Sequence, residues 1–173
     1  MPKTIKNIYN NSVSFEKLLK AHKKARCGKR EKKKIILFEL KLEQELLELD
    51  KQLKNGRYKH GGYTKFKIYE PKERIIMASE YKDRVVHQWY VEKFIKPYFV
   101  PQFISTSYAG IEGRGMHKAS KDVQKAMRSA KSKWKNYYIL KMDVTKYFQN
   151  IDKRILWKIL KRKMKDKKLL WLT

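Results

Sequence analysis

The segment Tyr137-Tyr-Ile-Leu-Lys-Met-Asp143-Val-Thr-Lys-Tyr-Phe148-Gln-Asn-Ile-Asp152 decides how the chain is read. Residues 138–142 are aromatic or aliphatic except for Lys141, and the run is too short between polar flanks for a helix, so it predicts a buried strand. Asp143 closes that strand. A carboxylate there is anchored by rigid backbone yet faces the open edge of a sheet, a position suited to a hard cation such as Mg²⁺. One carboxylate cannot hold a pair of catalytic metal ions by itself. Downstream, residues 153–163 show helical periodicity through Ile155, Leu156 and Ile159, which makes Asp152 an N-cap and not a metal ligand.

Working outward, Gly61-Gly62 opens a stretch in which Thr64, Phe66 and Ile68 alternate with Lys65, Lys67 and Tyr69, the period of a half-buried strand with a basic outer face. A turn at Glu70-Pro71-Lys72-Glu73 leads to a second apolar strand from Arg74 to residue 78, so a hairpin is expected with Lys72 and Arg74 at its tip and return strand. Residues 81–96 predict a helix with Val85, Trp89 and Phe94 inward, ended by Pro97. Phe99, Phe103 and Tyr108 follow in an irregular stretch, where they either stack on unpaired bases or pack as core. Three glycines around Arg114 then precede a helix over 116–130, with Met116, Ala119, Val123, Ala126 and Met127 on one face. That loop lacks the Gly-Lys-Ser/Thr ending of an ATPase phosphate loop.

At the N-terminal side, residues 1–11 carry no periodicity and are expected to fray. A short amphipathic helix is predicted from Ser14 to Ala25 and a basic turn over 27–34. One long helix follows, with Phe38, Leu42, Leu46, Leu49 and Leu53 on one face, closed by Asn55-Gly56.

Composition narrows the function. With 173 residues and 42% hydrophobic content the chain can bury a core of one domain or somewhat more. Its 44 Lys and Arg against 17 Asp and Glu give a net charge of +27, which implies a polyanionic partner, best a nucleic acid. No apolar run is long enough to span a bilayer, and the N-terminus shows no signal peptide, so a membrane is not expected as partner. The single cysteine, Cys27, forms no internal disulfide and has no Cys or His at metal-ligand spacing, which points to a reducing cytoplasm.

The Asp143 segment resembles motif A of the reverse transcriptase palm, in the form found in bacterial enzymes of group II introns, retrons and diversity-generating retroelements. The blocks Glu70-Pro71-Lys72-Glu73-Arg74-Ile75-Ile76 with Tyr81-Lys82-Asp83-Arg84-Val85-Val86-His87, and Ser107-Tyr108-Ala109-Gly110-Ile111-Glu112-Gly113-Arg114-Gly115-Met116-His117-Lys118-Ala119, are similar to the fingers and following motifs of the same families, in family order.

The resemblance implies an α+β fold. A helical N-terminal segment (1–56) leads to a fingers region (57–135) and the first part of a ferredoxin-like palm sheet (136–173). It implies an RNA-directed DNA polymerase using two Mg²⁺ ions, with Asp143 and the backbone carbonyl of Val144 as metal ligands. Lys72, Arg74 and Arg114 would contact the nucleotide, and Phe148 would be the steric gate against ribonucleotides. Lys65, Lys67, Arg114 and Lys118 would contact nucleic acid. Asp83, Arg84 and His87 are read as structural. The implied partners are an RNA template, a DNA primer, deoxynucleoside triphosphates and an accessory protein of the retroelement. No Tyr-x-Asp-Asp tetrapeptide follows Asp143, so the expectation is an amino-terminal portion that is inactive alone. The alternative is a maturase-like module that binds RNA without polymerising.

Overall fold

A computed structural model describes residues 4–173; the start of the segment expected to fray, residues 1–3, lies outside them. The fold is mixed α+β, with one two-stranded antiparallel sheet among the described residues. Contacts divide the chain into two units, one running to Tyr98 and resuming at Leu160, the other Phe99–Ile159.

The first unit is built on an aromatic seam. Helix α2 (Phe15–Ala25) begins as its sequence predicts, with the extended Ser14 accepting the Lys17 N–H. It buries Leu18, Ala21 and His22 against α4 (Leu42–Lys54) and α5 (Tyr81–Tyr90). In α5, Trp89 meets Tyr9 and Phe94 edge-on at ring separations of 5.9 and 5.2 Å, and its Nε1 donates to the Ser12 carbonyl at 2.8 Å. Truncating a ring buried this completely costs about 3–5 kcal/mol. Exposed ion pairs such as Lys34–Glu80 contribute at most about 1 kcal/mol each, so the seam outweighs them.

The two ends of the chain are tied together by one carboxylate. Asp166 Oδ2 accepts the N–H groups of Ile8 and Tyr9 at the start of α1 (Tyr9–Ser12), at 2.9 and 3.0 Å. Its Oδ1 accepts those of Lys168 and Leu169 in the first turn of α10 (Lys167–Leu172), at 3.1 and 3.3 Å. Beside it Ile5 and Met164 form a parallel bridge and are fully buried. Residues 4–11 are therefore ordered by long-range contacts that local periodicity does not reveal.

Three helical expectations are corrected. The long helix divides into α3 (Lys33–Glu39) and α4, because Lys41 leaves helical geometry at φ −123, ψ 29. Before the corner, Phe38 packs against Tyr81 and His22, at 5.0 and 5.6 Å, and beyond it Leu46, Leu49 and Leu53 are the buried residues of α4. The basic turn is shorter than expected, since Lys33 and Lys34 are helical. At the other end of α5, Pro97 does not stop the helix. A π-helical stretch, Val91–Ile95, shifts the hydrogen bonding so that Lys96 N–H reaches Val91 O, and Pro97 sits within the first turn of α6 (Lys96–Phe99), where its missing N–H costs least.

The hairpin forms from β1 (Tyr63–Ile68) and β2 (Arg74–Ser79), with Lys65 opposite Met77 and Lys67 opposite Ile75. It is not half-buried as the alternation predicts. Thr64, Phe66, Ile76 and Ala78 share one face, yet Phe66 remains exposed, and Ile75 and Met77 are exposed beside the lysines on the other.

The second unit contains α7 (Met116–Lys133), α8 (Tyr147–Asn150) and most of α9 (Lys153–Lys163). None of its residues is buried. The strand predicted over 138–142 is not formed: the segment has no ladder partner among the described residues, and a strand exists only through its neighbour's hydrogen bonds. Tyr138 is 95% exposed. Phe103, for which packing was one of two expectations, is exposed as well. Asp152 caps α9 as predicted, accepting the Arg154 N–H at 2.8 Å.

Replacing Asp166 with Ala strands buried N–H groups at two helix starts, and urea denaturation is expected to show a loss of about 2–4 kcal/mol. A change below about 0.5 kcal/mol would contradict the double cap. His22 supplies a pH dependence. Desolvation, aided by Arg26, holds its pKa below the ordinary 6.5, against the opposing pull of Glu39. The folded state thus favours neutral imidazole: its contribution is complete above pH 6.5 and falls away as the pH drops through the lowered folded value. Burial lowers the His87 pKa as well, so stability followed from pH 7 to 5 should decline, by at most about 1.4 kcal/mol per pH unit for each histidine, and His22→Gln should make that decline shallower.

Candidate nucleic-acid interface and the Asp143 segment

The basic hairpin is held to the helices by Asp83. This carboxylate is fully buried in α5, where Oδ1 accepts the Tyr58 hydroxyl at 2.6 Å and Oδ2 accepts the Gly61 N–H at 3.0 Å. His60 Nε2 stands 3.8 Å from Oδ2. Burial, and then the bond to Asp83, push the Tyr58 phenol well above its usual range, so it stays protonated and donating. A Cβ at Gly61 would lie 2.9 Å from Asp83 Oδ2, so only glycine brings the chain this close. Immediately above, the rings of Tyr63, His60 and His87 form a stack, with centroid separations of 4.9 and 5.3 Å. Sequence reasoning gave Asp83 and His87 a structural part but found neither partner; the Gly61-Gly62 doublet before the strand was the available signal.

Held in this way, the hairpin presents its cations to solvent. Lys65, Lys72 and Arg74 are exposed, as is Lys67, which pairs with Glu73 at 2.7 Å. Lys34 of α3 steadies the root through Thr64 Oγ1 and Glu80, at 3.2 and 3.1 Å. A cavity of about 240 Å³ opens beside Tyr58, His60, His87 and Tyr90. Among the described residues no lysine or arginine lines it, so it is unsuited to a phosphate.

In the second unit, Arg114 is committed to its own loop. Its guanidinium donates to the carbonyls of Ile104 and Ser107, both at 3.0 Å, and to that of Ser105 at 3.4 Å. That clamp closes the glycine loop and leaves less of the fork for a nucleotide than the sequence suggested. Lys118 pairs with Asp122 at 3.2 Å, and Asp122 also accepts the Tyr108 hydroxyl at 2.8 Å. These two bonds, the tyrosine's foremost, hold the Asp122 carboxyl below its usual range.

Asp143 and Phe148 lie in the exposed segment before and within α8. Asp143 Oδ1 accepts the Val144 N–H at 3.0 Å. Phe148 is 84% exposed, with an edge contact to Tyr147 at 5.3 Å. Among the described residues no three His, Cys, Asp or Glu lie close enough to hold a metal ion. The oxygen donors of Asp143 and Val144 fit Mg²⁺ in kind but not in number; substrate phosphates and further carboxylates would have to complete the set. The hairpin cations belong to one unit, and Asp143, Phe148, Arg114 and Lys118 to the other. Compared with known proteins, the chain matches no family model and no curated protein.

Gly61→Ala is expected to push the loop off Asp83, costing about 1–3 kcal/mol. Hydrogen exchange should accelerate in the hairpin amides while α2 and α4 stay protected. Unchanged hairpin exchange would show that Asp83 does not fix it.

Proposed function

We propose that the chain supplies the fingers and first palm segment of an RNA-directed DNA polymerase of the bacterial retroelement type. The observation that carries this reading is the ordered set of three sequence blocks, ending in Asp143 with Phe148 five residues on. It is supported by a hairpin on which Lys65, Lys72 and Arg74 are exposed to solvent, where an anion can reach them as a fingers element requires. The finer palm architecture, a ferredoxin-like sheet containing residues 138–142, belongs to this proposal, as do the RNA template, DNA primer, deoxynucleotides, an accessory protein and a cytoplasmic location.

In this reading Lys72 and Arg74 bind the triphosphate and orient it, and Phe148 places a flat ring under the sugar, leaving no room for a 2′ hydroxyl. Asp143 and the Val144 carbonyl would hold Mg²⁺, which when bound neutralises charge on the reacting phosphate. Asp143 alone is too few ligands for catalysis, so these residues by themselves are expected to be inactive.

A second reading is favoured by the clamp that commits Arg114 to its own loop: a module that binds structured RNA and performs no chemistry. Primer extension on an RNA template by the complete gene product separates the two. Asp143→Ala should lower the rate on the order of 10³-fold or more with RNA affinity retained, and Phe148→Ala should admit ribonucleotides. Extension unaffected by Asp143→Ala, or absent from the wild-type product that still binds RNA, would remove the polymerase reading.

A further inference from the structure

The turn between α2 and α3 carries a charge cluster that the polymerase reading does not use. Gly28-Lys29-Arg30-Glu31-Lys32-Lys33 is exposed throughout, and four of its six residues are cationic. Its flanking cations are consumed internally. Lys24 pairs with Glu92 at 2.8 Å, Arg26 with Glu39 at 2.5 Å and Lys34 with Glu80 at 3.1 Å. Among the described residues, Lys29, Arg30, Lys32 and Lys33 take part in no ion pair, and neither does Glu31 beside them.

The backbone here is organised as well. Successive turns are closed by Lys29 N–H to Arg26 O at 2.9 Å, Lys32 N–H to Lys29 O at 3.1 Å and Ile35 N–H to Lys32 O at 2.8 Å, and Gly28 supplies the positive φ of 66°. An open concavity of about 390 Å³ is lined by residues 28–32. Four like charges within five residues repel one another, a cost that an anionic ligand relieves. The ion pairs on both sides fix the ends of the turn while its cations face water. Such a surface suits a phosphodiester backbone, which offers repeated charges without demanding a base sequence.

We propose that the α2–α3 turn, together with the first residue of α3, is a docking site for the phosphate backbone of RNA, contacting it through Lys29, Arg30, Lys32 and the helical Lys33. The site concerns binding alone and does not depend on Asp143, so it survives failure of the polymerase reading.

The test uses the whole chain and a fluorescent RNA hairpin, with affinity measured by anisotropy across a KCl series. The variant K29Q/R30Q/K32Q/K33Q is compared with a charge-matched control, K6Q/K20Q/K51Q/K93Q, after circular dichroism shows both folded. Each phosphate contact contributes about 0.9 to the slope of log affinity against log salt. The turn variant should therefore reduce the slope by about 2–4, and the control by less than one contact's worth. Equal losses in the two variants would mean that net charge alone matters and would overturn the proposal, as would an unchanged slope in the turn variant.

A second measurement needs no variant. Amine labelling of the wild-type chain should show Lys29, Lys32 and Lys33 protected by RNA and Lys51 not; uniform labelling would overturn the site. Vesicles of anionic phospholipid form the remaining arm. Turn-dependent binding to them, without turn-dependent binding to RNA, would assign the surface to lipid and refute the proposal.

Discussion

A single buried carboxylate sets the terms on which the basic hairpin meets its surroundings. Asp83 is fully desolvated, a position that costs several kcal/mol for an ion unless its oxygens are satisfied. Here the Tyr58 hydroxyl and the Gly61 N–H satisfy them, and both come from the loop that feeds β1. The cost of burying the charge is thus converted into a fixed position for the hairpin root. Flexible lysines at its far end gain a rigid base, which reduces the ordering they must undergo when an anion binds.

The two units handle hydrophobic surface differently. In the first, Trp89, Phe94, Tyr9 and Leu53 are almost completely removed from water, and the Tyr9 hydroxyl donates to the Leu53 carbonyl at 3.0 Å, so even the polar atom within the seam is satisfied. In the second, Met116, Tyr138 and Phe148 remain in water, and local order comes from polar devices: the Arg114 clamp, the Tyr108–Asp122–Lys118 group and the Asp152 cap. Each such device contributes modestly, and none substitutes for burial. The second unit therefore has the lower intrinsic stability of the two.

What the sequence made legible were features written locally. Ser14 before Phe15, Asp152 before Lys153, Gly56 after Asn55 and the alternation over residues 64–68 each carry their meaning within a few residues, and the structure places a cap, a stop or a strand at each. The failures share the opposite property. Asp166 caps α1 from the far end of the chain, and Asp83 reaches 22 residues back to Gly61, so no window of periodicity includes both partners. At Lys41 the backbone leaves helical geometry although the spacing of Phe38 and Leu46 fits one helix. Residues 138–142 have strand-like composition but no partner among the described residues. For the candidate site, the cations of the hairpin were readable, whereas the internal commitment of Arg114 depends on three carbonyls that only the folded loop brings together.

In the polymerase reading proposed above, the rigidly rooted, exposed hairpin presents its cations to RNA. Ultraviolet crosslinking of the chain to RNA, with the attached peptides mapped by mass spectrometry, tests it most directly. Crosslinks within residues 63–79 are predicted, alongside any at the α2–α3 turn, and should be lost in about 1 M salt, where the Debye length shrinks to about 3 Å. RNA attached elsewhere on the chain, with that hairpin free of crosslinks, would contradict the account.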